Sequence, residues 1–111
     1  MSQIRSQLIG TGYSLPTKIL TNDDLSKMVE TSDEWISTRT GIRSRHVAAE
    51  NEYTSDFCIK AAQMAIANAG ISAEEIDFII VATITPDNTF PATAAKVGKV
   101  LGVRSGVAAM D

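Results

Sequence analysis

Residues 77–84 read Asp-Phe-Ile-Ile-Val-Ala-Thr-Ile, almost unbroken apolar and β-branched. A run of that length and chemistry predicts a strand buried on both faces, as in a parallel sheet. Pro86-Asp87-Asn88 breaks it, residues 92–101 carry helical character with Gly102 as the stop, and residues 107–110 begin a second apolar stretch. Strand, crossover helix and strand make a βαβ unit, which puts the chain in the α/β class. In such sheets ligand chemistry collects beyond the carboxyl ends of the strands. Asp111 stands at the end of the second strand, so the 111 residues are expected to be part of a larger enzyme.

The rest of the chain fits around that unit. Residues 54–69 form the clearest helix, with Thr54 as its cap and Gly70 as its close. Phe57, Ala61, Met64 and Ala65 mark one face, and Cys58, Ala62, Ile66 and Ala69 widen it. So wide an apolar arc implies cover on more than one side. Thr21 before Asn22-Asp23-Asp24 resembles an N-cap, with Leu25, Met28 and Val29 on one helical face. A second helix start lies at Thr31-Ser32-Asp33-Glu34, ending at Gly41. Leu8 and Ile9 suggest a first strand that turns at Gly10-Thr11-Gly12, and residues 42–47 a short strand or an extended loop. Ser72 with Glu75 has capping-box spacing for a single turn. No repeat or flexible linker divides the chain, which reads as one piece.

Composition removes several classes of function. Ten basic against 13 acidic residues leave a net charge of −3, against a nucleic-acid grip. A lone cysteine, Cys58, forms no internal disulfide, which suits a reducing cytoplasm. With His46 the only histidine, no self-contained zinc site is expected. The most apolar stretch is too short to cross a bilayer, and no membrane partner is expected.

Candidate functional residues divide into bland and informative ones. Gly10 and Gly12 precede Leu15 where a dinucleotide fingerprint needs its third glycine, so a turn is the better reading. Cys58 lies mid-helix between Phe57 and Ile59 and reads as a structural thiol. His46 follows Arg45, whose charge would disfavour an imidazolium if the two side chains lie close, and reads as a surface or core-edge residue. Trp35 and Arg39 are four apart and share a helix face; Arg43 and Arg45 share a strand face. Three arginines and no acid occur over residues 36–47 of an acidic chain. An indole beside guanidinium groups suits a nucleotide, the ring stacking on a base and the forks holding phosphate. The opposing reading has Trp35 filling a core while the arginines pair with Asp33 and Glu34, and spacing leaves the two even. Phe90 tips a loop whose Pro91 suits a first helical turn, and it packs inward or reaches a pocket or partner subunit. Ala94, Ala95 and Gly98 make a small-residue face open to intrachain packing or a dimer contact.

At Thr31-Ser-Asp-Glu-Trp-Ile36, Arg39-Thr-Gly-Ile42 and Arg45 the sequence resembles β-ketoacyl-acyl-carrier-protein synthase III, a family of condensing enzymes that start bacterial type II fatty-acid synthesis. Ile9-Gly-Thr-Gly12, Leu15-Pro16, Thr21-Asn22, Val81-Ala-Thr83 and Phe90-Pro91 extend the resemblance over the whole chain. It implies an α/β, thiolase-like layered fold, residues 1–111 being most of the first of two related halves. A Cys-His-Asn active site is implied as well. Its cysteine is expected shortly after Asp111, and its His and Asn in the second half. No catalytic residue and no metal ligand is expected within these residues, and neither Cys58 nor His46 matches the triad.

The implied reaction is ping-pong acyl transfer. Acetyl-CoA or another short acyl-CoA loads the cysteine, and malonyl-acyl carrier protein decarboxylates and condenses to a 3-ketoacyl product. The thioester is a substrate, and no cofactor is implied. By match, Trp35 stacks on the CoA adenine, Arg39 and Thr40 contact the nucleotide, and Thr31 lines the same opening. Phe90 closes the partner subunit's acyl pocket in a homodimer. Two alternatives stand beside this: a quinolone- or polyketide-type condensing enzyme of the same fold, and a non-catalytic CoA-binding fragment. A lone half would expose apolar sheet edge and is expected to self-associate.

Overall fold

The computed structural model describes residues 2–111, which gather into two compact units. One is Leu15–Glu52; the other joins the chain up to Ser14 with Tyr53–Asp111.

In the Leu15–Glu52 unit, β1 (Lys18–Thr21) pairs antiparallel with β2 (Ser44–Val47), Thr21 opposite Ser44 and Lys18 opposite Val47. The strand option for residues 42–47 thus holds at its C-terminal part. Nothing in the pattern of Lys-Ile-Leu-Thr announces β1; its ladder with β2 makes it a strand. Thr21 then caps α1 (Asn22–Ser26), its Oγ accepting from the Asp24 N–H at 3.1 Å and its own N–H donating to the Asp24 carboxylate at 3.1 Å. This is the reciprocal cap expected of Thr-x-x-Asp. The Thr21 hydroxyl, donating to the Asp24 carboxylate at 2.7 Å, and then the Thr21 N–H hold the Asp24 carboxyl below its ordinary pKa. The helix is shorter than its apolar spacing suggested. Lys27 and Met28 N–H groups bond back three residues, tightening the chain out of the α form. Met28 and Val29 therefore lie beyond the helix and are exposed. α2 (Asp33–Thr40) follows, with Ser32 Oγ accepting from the Trp35 N–H at 3.1 Å. Gly41 closes it at φ 72°, a left-handed conformation that a Cβ would strain.

The second unit is built on α3 (Thr54–Ala69), which ends at Gly70 as expected. Its cap is Tyr53 rather than Thr54. The Tyr53 N–H donates to the Asp56 carboxylate at 2.9 Å, while the Thr54 hydroxyl donates across to the Thr85 carbonyl at 2.6 Å. A single 3-10 turn, Ala73–Glu75, carries the capping bond from the Ser72 N–H to Glu75 at 2.8 Å. β3 (Phe78–Ile80) and β4 (Ala108–Met110) pair in parallel, with α4 (Thr93–Leu101) as the crossover. The βαβ unit is therefore present. Its core is Val81, Ala94 and Val97, against which Cys58, Ile59, Ile79, Leu101 and Ala109 pack. Arg104 ties the start of β3 down by donating to the Glu74 and Ile76 carbonyls and pairing with Asp77.

Three local expectations change. Residues 77–84 do not form one strand buried on both faces: the strand is Phe78–Ile80, with one further bond from the Val81 N–H to the Met110 carbonyl, and Phe78, Ile80 and Ile84 are exposed. Among the described residues of this unit β4 is the only partner strand and the helices cover one face, so only the inward side chains, Ile79 and Val81, are enclosed. Leu8 and Ile9 form no strand, because among the described residues no ladder partner runs beside them. Instead, the neighbouring glycines lie flat on α3. A Cβ built on Gly10 would stand 2.5 Å from the Ala65 carbonyl oxygen, and one on Gly12 2.1 Å from that of Ala61. α3 is thereby covered on two sides, by this segment and by the βαβ core. Third, Pro91 is not in the first helical turn, since Ala92 is the residue that precedes α4.

Candidate functional site

Eight residues make α2, too few to be stable alone. Ile36 is its only buried residue, so the helix is anchored on one side chain and presents the rest. Trp35 is 55% exposed, which rules out the core-filling reading. Arg39, one turn on, lays its guanidinium over the indole, with the central carbon 4.7 Å from the ring centroid. That contact places a cation against a half-exposed aromatic face. An open groove of about 470 Å³ runs beside it, lined by Leu25, Val29, Glu30, Thr31, Ser32, Trp35 and Ile36. A neighbouring hollow of about 360 Å³ is lined by Ser32, Glu34, Trp35, Thr38 and Arg39.

Of the residues singled out in the sequence, Thr31, Trp35 and Arg39 therefore share one continuous surface. Thr40 is set apart. Its hydroxyl donates to the Ile36 carbonyl at 2.7 Å and accepts from the Ile42 N–H at 3.0 Å, so it finishes the helix. Phe90 belongs to the other compact unit, at the tip of the loop before α4, and is 88% exposed. It does not pack inward.

The arginines do not pair with Asp33 and Glu34. Arg45 donates to the Leu20 carbonyl at 3.2 Å and to Asn22 Oδ1 at 2.6 Å. Asp33 instead accepts from Asn22 Nδ2 at 2.8 Å. His46 is exposed on β2, with Nδ1 2.6 Å from the Pro16 carbonyl oxygen. A carbonyl only accepts, so this contact holds the ring proton on Nδ1. Cys58 is half-buried on α3. Burial pushes its thiol pKa up, and the Asp87 and Asp111 carboxylates add to the effect. An activated nucleophile needs the opposite shift. Among the described residues no cluster of His, Cys, Asp and Glu could hold a metal ion.

Two carboxylates that the sequence reading passed over organise the α4 end of the second unit. Asp111 bridges the first turn of α4, accepting from the Thr93 N–H at 2.6 Å and the Ala94 N–H at 2.7 Å. The bond from Ala94 is the main cause of its lowered pKa. Asp87, its side chain 5% exposed, accepts from the Ser55 N–H at 2.9 Å, the Ser55 hydroxyl at 2.5 Å and Lys96 Nζ at 2.8 Å. Burial alone would raise the Asp87 pKa, but the bonds from Lys96 and Ser55 outweigh it and the carboxyl titrates below its ordinary value. The helix face of Ala94 and Gly98 is buried within the unit, while Ala95 is exposed. Neither acid has a sequence signal, because the partners of their carboxylates lie 9 to 32 residues away.

No family model matches the chain. Among curated proteins, the β-ketoacyl-[acyl-carrier-protein] synthase III of Rhodospirillum centenum is 57% identical over 105 residues, covering 95% of this chain and 32% of the relative. Among solved structures, 3-oxoacyl-[acyl-carrier-protein] synthase III from Aquifex aeolicus superposes with a TM-score of 0.81 at 48% identity, covering 93% of this chain and 33% of that one. The priming β-ketosynthase of the R1128 polyketide pathway superposes with a TM-score of 0.78 at 30% identity, covering 94% and 30%. The chain spans about a third of the length of the curated relatives it matches.

Proposed function

These 111 residues belong, by sequence and by fold, to the β-ketoacyl-[acyl-carrier-protein] synthase III family, and from that premise we propose that they build the CoA-binding side of an acyltransferase. The complete protein would take a short acyl group, acetyl first, from CoA onto a cysteine outside these residues. It would then condense that group with malonyl-acyl carrier protein, releasing carbon dioxide and a 3-ketoacyl-acyl carrier protein. The observation that carries this reading is the Arg39 guanidinium held 4.7 Å over the half-exposed Trp35 ring, at the rim of the groove that Thr31 lines.

Each group there has a physical task. The indole offers a π-face to the adenine, and Arg39 supplies positive charge for the phosphates. Thr31 adds a hydroxyl at the groove, and Thr40 acts through the helix end that it closes. Phe90, exposed on its loop, would close the acyl pocket of a second subunit in a homodimer. Among the described residues, no helix is long and apolar enough to cross a membrane. We place the protein in the cytoplasm on the family reading, with the CoA thioester as substrate and no cofactor required.

The test is Trp35→Ala in the complete protein. Loss of a stacked base is worth on the order of 1–3 kcal/mol, so the KM for acetyl-CoA should rise by roughly 5- to 150-fold with kcat little changed. A KM within twofold of the parent would refute the assignment.

A further inference from the structure

Resting on that reading, we infer that Asn22 is a positioning residue, one buried amide that holds both ends of the helix presenting Trp35 and Arg39. Asn22 is 1% exposed, although it opens a five-residue helix in a polar Thr-Asn-Asp-Asp stretch. Every polar atom of its side chain is used. Nδ2 donates to Asp33 Oδ1 at 2.8 Å and to the Ile42 carbonyl at 2.7 Å. Oδ1 accepts from Arg45 Nη2 at 2.6 Å. Its backbone N–H donates to the Arg43 carbonyl at 3.1 Å.

The pattern of partners gives the residue its role. Asp33 is the first residue of α2, and Ile42 lies just past Gly41, which closes it. The two Nδ2 protons therefore clamp the start and the exit of the same eight-residue helix. Arg45 fixes the amide from β2, and its other arm is on the Leu20 carbonyl in β1, so the clamp is referred to the β1–β2 ladder. A helix this short, with Ile36 its only buried side chain, has little else to set its direction. Trp35 is two residues from one clamped end, and Arg39 three from the other. An error in helix orientation would move the ring and the cation together, and productive positioning is sensitive to displacements of about an ångström.

Asn22→Asp tests this directly. The carboxylate still accepts from Arg45 but has no protons for Asp33 and Ile42, and it faces the Asp33 carboxylate. In the complete protein the KM for acetyl-CoA should rise about tenfold, with kcat within twofold and the unfolding transition still cooperative. Without any substrate, the fluorescence anisotropy of Trp35 should fall and its quenching by acrylamide should increase. Adding Asp33→Asn reverses donor and acceptor across that contact and should recover at least half of the KM change. Asp33→Ala, at a partly exposed position, removes one arm only and serves if Asn22→Asp does not fold; it should move KM and the Trp35 signal in the same direction. Unchanged KM and unchanged Trp35 fluorescence in Asn22→Asp, or in Asp33→Ala where that variant replaces it, would overturn the positioning role while Trp35→Ala still raises KM. A Trp35→Ala protein with normal KM would instead overturn the CoA assignment, leaving the substrate-free fluorescence to decide the clamp.

Discussion

Gly12→Ala should be among the most damaging small substitutions in this chain, for a reason visible in the packing. A Cβ at residue 12 would stand 2.1 Å from the Ala61 carbonyl oxygen, 2.6 Å from the Ala65 nitrogen and 2.9 Å from the Met64 Cβ. The first two are backbone atoms of α3 and cannot swing aside. Comfortable contact begins at about 3.5 Å, so the segment must retreat by roughly an ångström. A gap of that size forfeits about a quarter to a half of the local dispersion energy. The retreat also pulls the Thr11 N–H from Asn68 Oδ1, now at 3.1 Å. Overpacking of about 1–3 kcal/mol and one hydrogen bond of about 1 kcal/mol sum to a cost of about 2–4 kcal/mol. Gly70→Ala is the control. Its φ of 69° strains a Cβ that meets nothing within 4 Å, for a cost of about 1 kcal/mol. Urea unfolding of the complete protein, with both variants side by side, measures the difference. If Gly12→Ala costs no more than Gly70→Ala, close approach of this segment to α3 is not what the glycine serves.

Asp87→Asn should destabilise by about 1.5–3 kcal/mol at neutral pH, because a nearly buried acceptor loses its charge. The half-exposed Lys96 arm adds little to that figure. The folded pKa of Asp87 lies below its ordinary 3.8, so its stabilisation is complete above that value and is lost as pH falls through the folded pKa. Urea midpoints of parent and variant should therefore draw together as pH falls below 3.8, and a gap unchanged from pH 7 down to the lowest pH at which both fold would contradict the charged role. A polypeptide of these 111 residues alone should self-associate, given exposed Leu8, Ile80, Ile84 and Phe90. Sedimentation velocity showing a soluble monomer at tens of micromolar would count against that.

Local signals survived folding wherever one turn of chain settles the matter. Thr21 with Asp24, Ser32 before α2, Gly41, Gly70 and Gly102 each act within about four residues, and each element boundary they mark is where the spacing puts it or within a residue. The βαβ order of β3, α4 and β4 was legible because apolar runs and stop residues alternate along the chain. Trp35 and Arg39 were legible as a pair for the same reason, since i and i+4 meet on any helix. Their exposure was not: spacing makes neighbours on a helix but does not say which face the rest of the protein covers.

Contacts across long separations were decided by the tertiary structure alone. Lys18–Thr21 is a strand only because Ser44–Val47 arrives beside it. The apolar run at residues 77–84 is in register with β4 over Phe78–Ile80, and a last bond from the Val81 N–H to the Met110 carbonyl at 2.9 Å is where β4 ceases to meet it. Asn22 is buried by partners 11, 20 and 23 residues away, and Asp87 by Ser55, 32 residues back. A polar side chain that satisfies itself at such distances looks like any surface Asn or Asp in one dimension. What buries it is the closure of loops, whose entropy is recovered only when all the partners are in place at once.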